Sequence, residues 1–210
     1  MKRSTVYLFV FDTMADWEPA FAMAGIHTPQ WQLEPGRYQV QTASIDGKII
    51  TTMGGVRIQP DLTLAEVSPQ ASALLILPGG LSWEHGGNLE AIRMAQEILA
   101  ADVPVAAICA ATLALARAGL LDDRQHTSNA REYLSASGYR GSDLYREAPA
   151  VTDKNVITAG GMAPVDFAYE IFKVLNLYSD AALEAWYALF KNGDASKYYQ
   201  LVSTSNSGAS

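Results

Sequence analysis

VPVAAICAATLALARA, residues 103–118, is the stretch whose reading decides the fold. Val103 to Ile108 is short and apolar, as a strand buried on both faces requires. From about Ala110 the run of alanine and leucine favours helix. The only cysteine of the chain, Cys109, stands on the corner, with Ala107 two residues before it and Ala111 two after. A strand that turns sharply into a helix brings neighbouring backbone close, so those two places need small side chains. These are the mechanics of a nucleophile elbow, which sets its corner side chain above the carboxyl edge of a sheet. There the dipole and free N–H groups of the following helix favour a thiolate. The same residues also suit a plain core, because a free cysteine among apolar runs packs as a small hydrophobe. The rest of the chain has to separate the two readings.

Composition narrows the choice. A chain of 210 residues with 49% hydrophobic side chains can bury one sizeable α/β core. Its formal net charge of −7 argues against nucleic acid or an anionic membrane as the main partner, since both need clustered basic surface. No apolar run reaches the length of a membrane span. The first apolar run leads into Asp12 and Asp16 with no signal-peptidase site, and a single cysteine makes no internal disulfide, so a cytoplasmic protein is expected. The three histidines, His27, His85 and His126, have no metal-ligand spacing among them. We expect no metal and no cofactor.

Taken in order, the chain alternates strand and helix patterns. Thr5 to Phe11 predicts a central strand, and Trp17 to Ala24 a helix stopped by Gly25. Asp16 and Glu18 therefore lie at a strand–helix junction, on the same carboxyl edge as Cys109, where open parallel sheets bind ligands. Tyr38 to Ser44 predicts a second strand. Lys48–Thr52 and Val56–Ile58 flank Gly54 and Gly55 as a small hairpin. Ala73 to Leu77 predicts a strand ending in Pro78-Gly79-Gly80, where backbone N–H groups can face a ligand without Cβ obstruction. With the N–H of Ala110, Gly79 and Gly80 would form an oxyanion hole; the alternative is an ordinary turn. Leu81 to Asn88 reads as a loop carrying Trp83, Glu84 and His85, then a helix from Leu89 to Ala101 capped by Asn88. A short strand is expected at His126 to Ser128, a helix from Ala130 to Ser137, and a hairpin about Asp153 and Lys154. Two last helices follow, about 165–175 and 179–191. One domain, 1–202, is expected, with a disordered Ser/Gly/Asn-rich tail, 203–210.

The order of these signals resembles the ThiJ/PfpI superfamily, the class I glutamine-amidotransferase-like group that includes the parkinsonism-associated protein deglycase. The resemblance rests on the acidic first helix, Gly54-Gly55-Val56-Arg57-Ile58, Leu77-Pro78-Gly79-Gly80, Ala107-Ile108-Cys109-Ala110, and Ile157-Thr158-Ala159-Gly160-Gly161 before a helix with Phe167 and Ala168. It implies an α/β fold, a flavodoxin-like three-layer sandwich with a mainly parallel central sheet, helices on both faces and a small β-hairpin. It also implies a homodimer, and an acidic residue of the first helix touching the elbow cysteine; that place is held by Glu18. In the protease-like branch a His follows the nucleophile, but here that residue is Ala110, which argues against a peptidase. No histidine stands two residues before a Glu, which argues against a glutaminase. Many relatives carry a His where this chain has Asn129. His126 is a catalytic candidate three residues earlier, although alternation along a strand puts 126 and 129 on opposite faces; a partly exposed strand residue is the alternative.

Together these readings predict a site of Cys109 as nucleophile, Glu18 as a protonated acid and His126 as a third member. Gly79, Gly80 and Ala110 would be the oxyanion donors, and Asp16, Trp17, Trp83 and Thr112 would line the pocket. The partner would be a small-molecule substrate, a reactive carbonyl, isonitrile or amide, handled by a hydrolase, hydratase or lyase. The alternative is a redox-sensing or stress-response protein in which Cys109 is oxidised.

Overall fold

The structure, a computed structural model, describes residues 4–206. In its first half the elements are β1 (Ser4–Phe9), α1 (Trp17–His27), β2 (Tyr38–Ser44), β3 (Ile50–Thr51), β4 (Arg57–Ile58), β5 (Leu62–Thr63), β6 (Ser72–Leu77), α2 (Leu81–Glu84) and α3 (Leu89–Ala100). There follow β7 (Val105–Ile108), α4 (Ala110–Arg117), α5 (Arg131–Ser135), β8 (Ala150–Asp153), β9 (Val156–Ala159), α6 (Pro164–Val174), α7 (Asp180–Asn192) and α8 (Ser196–Asn206).

Seven strands form one sheet in the order β5-β2-β1-β6-β7-β9-β8, and β3 pairs with β4 as a separate hairpin. Within the large sheet every neighbour is parallel except β8, which runs antiparallel to β9. From β1 the chain crosses through α1 to one side, to β2; from β6 it crosses through α3 to the other, to β7. Right-handed crossovers in opposite directions put α1 and α3 on opposite faces of the sheet. Helix α6 packs on α1 and α7 on α6, completing the first layer, while α4 packs beside α2 on the other. The central strands are covered on both faces. Val6, Leu8, Phe9, Leu74 to Leu77 and Val105 to Ile108 are all 1% exposed or less.

Several boundaries differ from the expectation, each for a physical reason. Helix α1 runs through Gly25 to His27. The glycine does not stop it but lets it approach α6: a Cβ at Gly25 would overlap the ring of Phe172 and lie 2.8 Å from the Tyr178 hydroxyl. Residues 81–84 form the short helix α2, not a loop. Asn88 does not cap α3 with its side chain; its backbone is left-handed at φ 60°, and its amide donates to Ser82 Oγ at 2.6 Å. The expected strand at His126 is a single bridge to Tyr145. The expected disordered tail began at residue 203, yet α8 continues to Asn206; residues 207–210 lie outside the described residues. Among the described residues no helix is long and apolar enough to cross a membrane.

Replacing Gly25 with Ala should destabilise the protein by about 1–3 kcal/mol through overpacking, although alanine is the better helix former by about 1 kcal/mol. A urea titration with an unchanged or raised midpoint would show that the α1–α6 contact gives way freely.

Candidate active site

Cys109 follows β7 directly and opens α4. Its backbone sits at φ 59° and ψ −126°, a conformation that costs a non-glycine residue roughly 1–3 kcal/mol. The surroundings hold it there. Its N–H donates to Ala159 O at 3.0 Å, so the corner stays paired to β9. Its carbonyl accepts from the Thr112 amide at 3.1 Å and from the Thr112 hydroxyl at 2.6 Å. Ala107 and Ala111, the small flanks, are fully buried. Thr112 is therefore a brace beneath the elbow, with its hydroxyl 2.6 Å from Ser128 Oγ, and not the pocket-lining residue expected from the sequence.

Glu18, on the first turn of α1, is 1% exposed. Its Oε2 accepts the Gly79 N–H at 2.5 Å. Its Oε1 is buried with no well-aligned donor, yet it lies close enough to the thiol that each group shifts the ionisation of the other. Two glycines make room for the pair. A Cβ at Gly161 would lie 2.8 Å from Cys109 Sγ and 3.2 Å from Glu18 Oε1. A Cβ at Gly79 would lie 2.7 Å from Glu18 Oε2 and 2.8 Å from Cys109 Cβ.

Asn129 completes the contacts to sulfur. Its Nδ2 donates to Cys109 Sγ at 3.3 Å, and its Oδ1 accepts the Gly161 N–H at 2.9 Å. The second bond fixes which end of the amide faces the sulfur. The Ala110 N–H, at the start of α4, also favours negative charge on the sulfur.

The remaining candidates divide. Trp17 is at the rim, its indole N–H donating to Gly161 O at 3.1 Å. Trp83 is not a pocket wall; it is fully buried against Phe9 and Phe11, with its N–H on Pro78 O at 2.8 Å. The Asp16 carboxylate is committed to the hairpin, accepting from Thr52 Oγ1 at 2.5 Å and from the Gly54 N–H at 2.7 Å. Gly79 cannot serve as an oxyanion donor while its N–H holds Glu18, which leaves Gly80 and Ala110. His126 does not join the site. It is fully buried, Nδ1 lies 2.8 Å from Arg124 O, Nε2 lies 3.0 Å from the Tyr139 hydroxyl, and Tyr139 and Tyr145 flank its ring. Burial pushes its pKa below the usual imidazole value. Asn129 and Gly161 are the site residues that the sequence left unassigned. The available signal was position 129 itself, on the opposite strand face from His126.

The electrostatics correct one further expectation. Burial pushes the Glu18 carboxyl up to about 7, against the pull of the Gly79 amide and the thiol. Burial first, and the Glu18 charge second, push the Cys109 thiol up to about 11, outweighing the Asn129 and Ala110 donors. The sulfur is thus no ready thiolate at rest, despite its place at a helix N-terminus. The two groups titrate as a pair, taking the first negative charge near 7 and the second near 11. Between those two values the pair holds one proton between sulfur and carboxyl oxygen, and near pH 7 half of the molecules still hold both.

Roomier concavities lie elsewhere. One of about 370 Å³ between α1 and α7 is walled by Phe21, Trp31, Trp186 and Phe190. Another, of about 310 Å³, lies between Asp12, Asp46, Ser82 and Asn88. Neither holds a nucleophile against a buried acid, a pairing found at the partly exposed Cys109. Among the described residues no group of three or more His, Cys, Asp or Glu is placed to hold a metal ion.

Comparison with known proteins agrees with this fold. A family model described as the DJ-1/PfpI family matches residues 4–174. The chain is 36% identical over 209 residues to a Bacillus subtilis protein named "Uncharacterized protease YoaZ", covering 98% of this chain and 100% of that one. It is 35% identical over 101 residues to "Deglycase PfpI" of Pyrococcus furiosus, covering 48% of this chain and 61% of the other. A crystal structure of a thiJ/pfpI family protein from Bacillus anthracis superposes with a TM-score of 0.86 at 40% identity, over 97% of this chain and 98% of that one.

Replacing Glu18 with Gln should lower the Cys109 pKa, since the second-largest cause of its rise is removed; thiolate absorbance against pH measures this, and an unchanged titration would contradict it. The same variant should change stability with a definite sign. Folded protein keeps the Glu18 proton up to about 7, whereas the unfolded chain releases it near 4.5. The folded state binds more protons in that window, so wild-type stability should fall relative to the variant as pH rises from 4.5 to 7. Parallel unfolding curves across that range would contradict it.

Proposed function

Since the chain belongs to the DJ-1/PfpI family, we propose that it is an enzyme in which Cys109 and Glu18 act on a small electrophile, a reactive carbonyl before an isonitrile or an amide. The observation that carries this reading is the buried Glu18 carboxyl beside the thiol, with its Oε1 sealed from water and without an aligned donor. A carboxyl group in that position is suited to carry a proton and to exchange it with the sulfur.

The chemistry follows from the pair. In the reactive form the proton lies on Glu18 and the negative charge on sulfur, which receives the Asn129 and Ala110 donors. Sγ adds to the carbonyl carbon, forming an S–C bond as the C=O π pair moves onto oxygen. That oxygen takes the Glu18 proton, with the N–H groups of Gly80 and Ala110 stabilising the charge as it develops. Release uses water: Glu18, now a carboxylate, takes a proton from a water whose oxygen bonds to the same carbon as the S–C bond breaks, so the hydrated carbonyl departs and the sulfur regains its negative charge. The Pyrococcus relative named a deglycase fits this class, since a glycated amine also presents an adduct of a carbonyl carbon. Peptide cleavage fits less well. An amine leaving group needs a positioned acid on its own side, and the residue after the nucleophile is Ala110, while His126 is bonded to Arg124 O and Tyr139.

A second reading has one specific support. The same protonated Oε1 could hydrogen-bond an oxygen on sulfur, so peroxide could convert Cys109 to a sulfenic or sulfinic acid held in place. With one cysteine, an internal disulfide cannot follow.

A panel of small aldehydes, α-oxoaldehydes, isonitriles and amides separates the readings. Turnover should appear with at least one reactive carbonyl, disappear in Cys109→Ser, and fall by about 10²–10⁴ in Glu18→Gln. Oxidation by one equivalent of peroxide with no turnover on any of them would favour the sensor and reject the enzyme.

A further inference from the structure

Two buried hydroxyls lie beneath the elbow, and the reaction at Cys109 gives them no direct part. Thr112, in the first turn of α4, is fully buried, and Ser128, next to Asn129, is 6% exposed. Their oxygens are 2.6 Å apart, and Thr112 Oγ1 is also 2.6 Å from Cys109 O. A carbonyl oxygen only accepts, so the single Thr112 hydroxyl proton goes to Cys109 O. The Ser128 hydroxyl must then donate to Thr112 Oγ1. The direction of the relay is fixed: Ser128 to Thr112 to the carbonyl of the elbow.

This relay reaches both donors that act on the sulfur. In a trans peptide the C=O and the following N–H point opposite ways. Holding Cys109 O against Thr112 therefore turns the Ala110 N–H to the other side, where it favours negative charge on the sulfur. At its far end the relay fixes the residue before Asn129, whose Nδ2 donates to Sγ at 3.3 Å. The same segment is pinned from β9. The Thr127 N–H donates to Thr158 Oγ1 at 2.9 Å, and a Cβ at Gly160 would lie 3.0 Å from Ser128 O. Ser128 is thus set between β9 and α4, and Asn129 starts from a fixed backbone.

We propose that Thr112 and Ser128 are positioning residues for Cys109: their hydroxyl relay holds the Asn129 amide and the Ala110 N–H in register on one sulfur. This rests on the reading of Cys109 as the nucleophile, and it adds to that reading two residues that touch no substrate.

Alkylation of the intact protein by iodoacetamide tests it. The sulfur forms an S–C bond, iodide leaves and the thiol proton goes to solvent. The chain has one cysteine, so the label reports Cys109 alone. Thr112→Val removes the relay and keeps a β-branched side chain. At about pH 8 its labelling rate should fall about three- to tenfold, the net of a smaller thiolate fraction and a stronger nucleophile once hydrogen bonds to the charge are loosened. Thr112→Ser should restore the rate, and Ser128→Ala should slow it as Thr112→Val does. In an Asn129→Ala background, Thr112→Val should cost less than it does alone. Thr127→Val is the control, since it deletes a neighbouring buried hydroxyl that bonds Ala148 O at 2.7 Å and touches neither donor. It should lower the melting temperature without slowing the label. A Thr112→Val rate equal to that of the wild type, or an equal slowing by Thr127→Val, would overturn the relay while leaving the nucleophile in place. Wild-type protein that takes no label would instead overturn the reading of Cys109 as the nucleophile.

Discussion

The strained corner at Cys109 is the constraint from which the site follows. A cysteine held at φ 59° is not where an isolated chain would leave it. Its amide is anchored to β9, its carbonyl is clamped twice by Thr112, and alanines on both sides let the neighbouring backbone close in. Because β7 lies between β6 and β9 in the sheet, the same corner faces the loop after β6 on one side and the loop after β9 on the other. Gly79 comes from the first and Gly161 from the second. Each lacks a Cβ at the place where one would strike the sulfur-bearing side chain or its acid.

The acid is positioned by the same economy of parts. A single Gly79 N–H holds one oxygen of Glu18, and the other is left without an aligned donor in a water-excluded space. Desolvation favours the neutral acid, and proximity to the thiol means that a charge on either group opposes a charge on the other. The ionisation of the sulfur therefore depends on where the protons of the pair sit, more than on the helix dipole alone. Asn129 meets the sulfur with an amide, which does not titrate. The pH response of the site is left to a carboxyl and a thiol.

Much of this was legible in the residues. Strand β2 begins and ends where its alternation predicts, at Tyr38 and Ser44, and the elbow helix begins at Ala110. Those signals are local: apolar period and small flanking residues. Glu18 was legible because the strand–helix junction places it on the carboxyl edge. The misreadings depended on tertiary contact. Nothing in the sequence says that Gly25 faces Phe172, that Trp83 is buried behind Phe11, or that Asp16 faces the hairpin. His126 shows the same limit. Its residue type invited a catalytic role, but two tyrosines and a backbone carbonyl already satisfy it. Chemistry-bearing side chains are ambiguous until their partners are known, whereas a glycine or alanine at a crowded corner has few other uses.

The margins of the large sheet carry a consequence for the solution behaviour of the protein. On one flank the last ribbon, β5, contributes two residues, and on the other β8 turns back antiparallel through a tight turn in which Lys154 and Asn155 both take positive φ. An unpaired edge is where a foreign chain would stack and seed a fibril. A two-residue flank offers such a chain almost no ladder to extend, and the reversed strand is only four residues long. Each outermost ribbon of the sheet is therefore too short by itself to template a long cross-chain ladder.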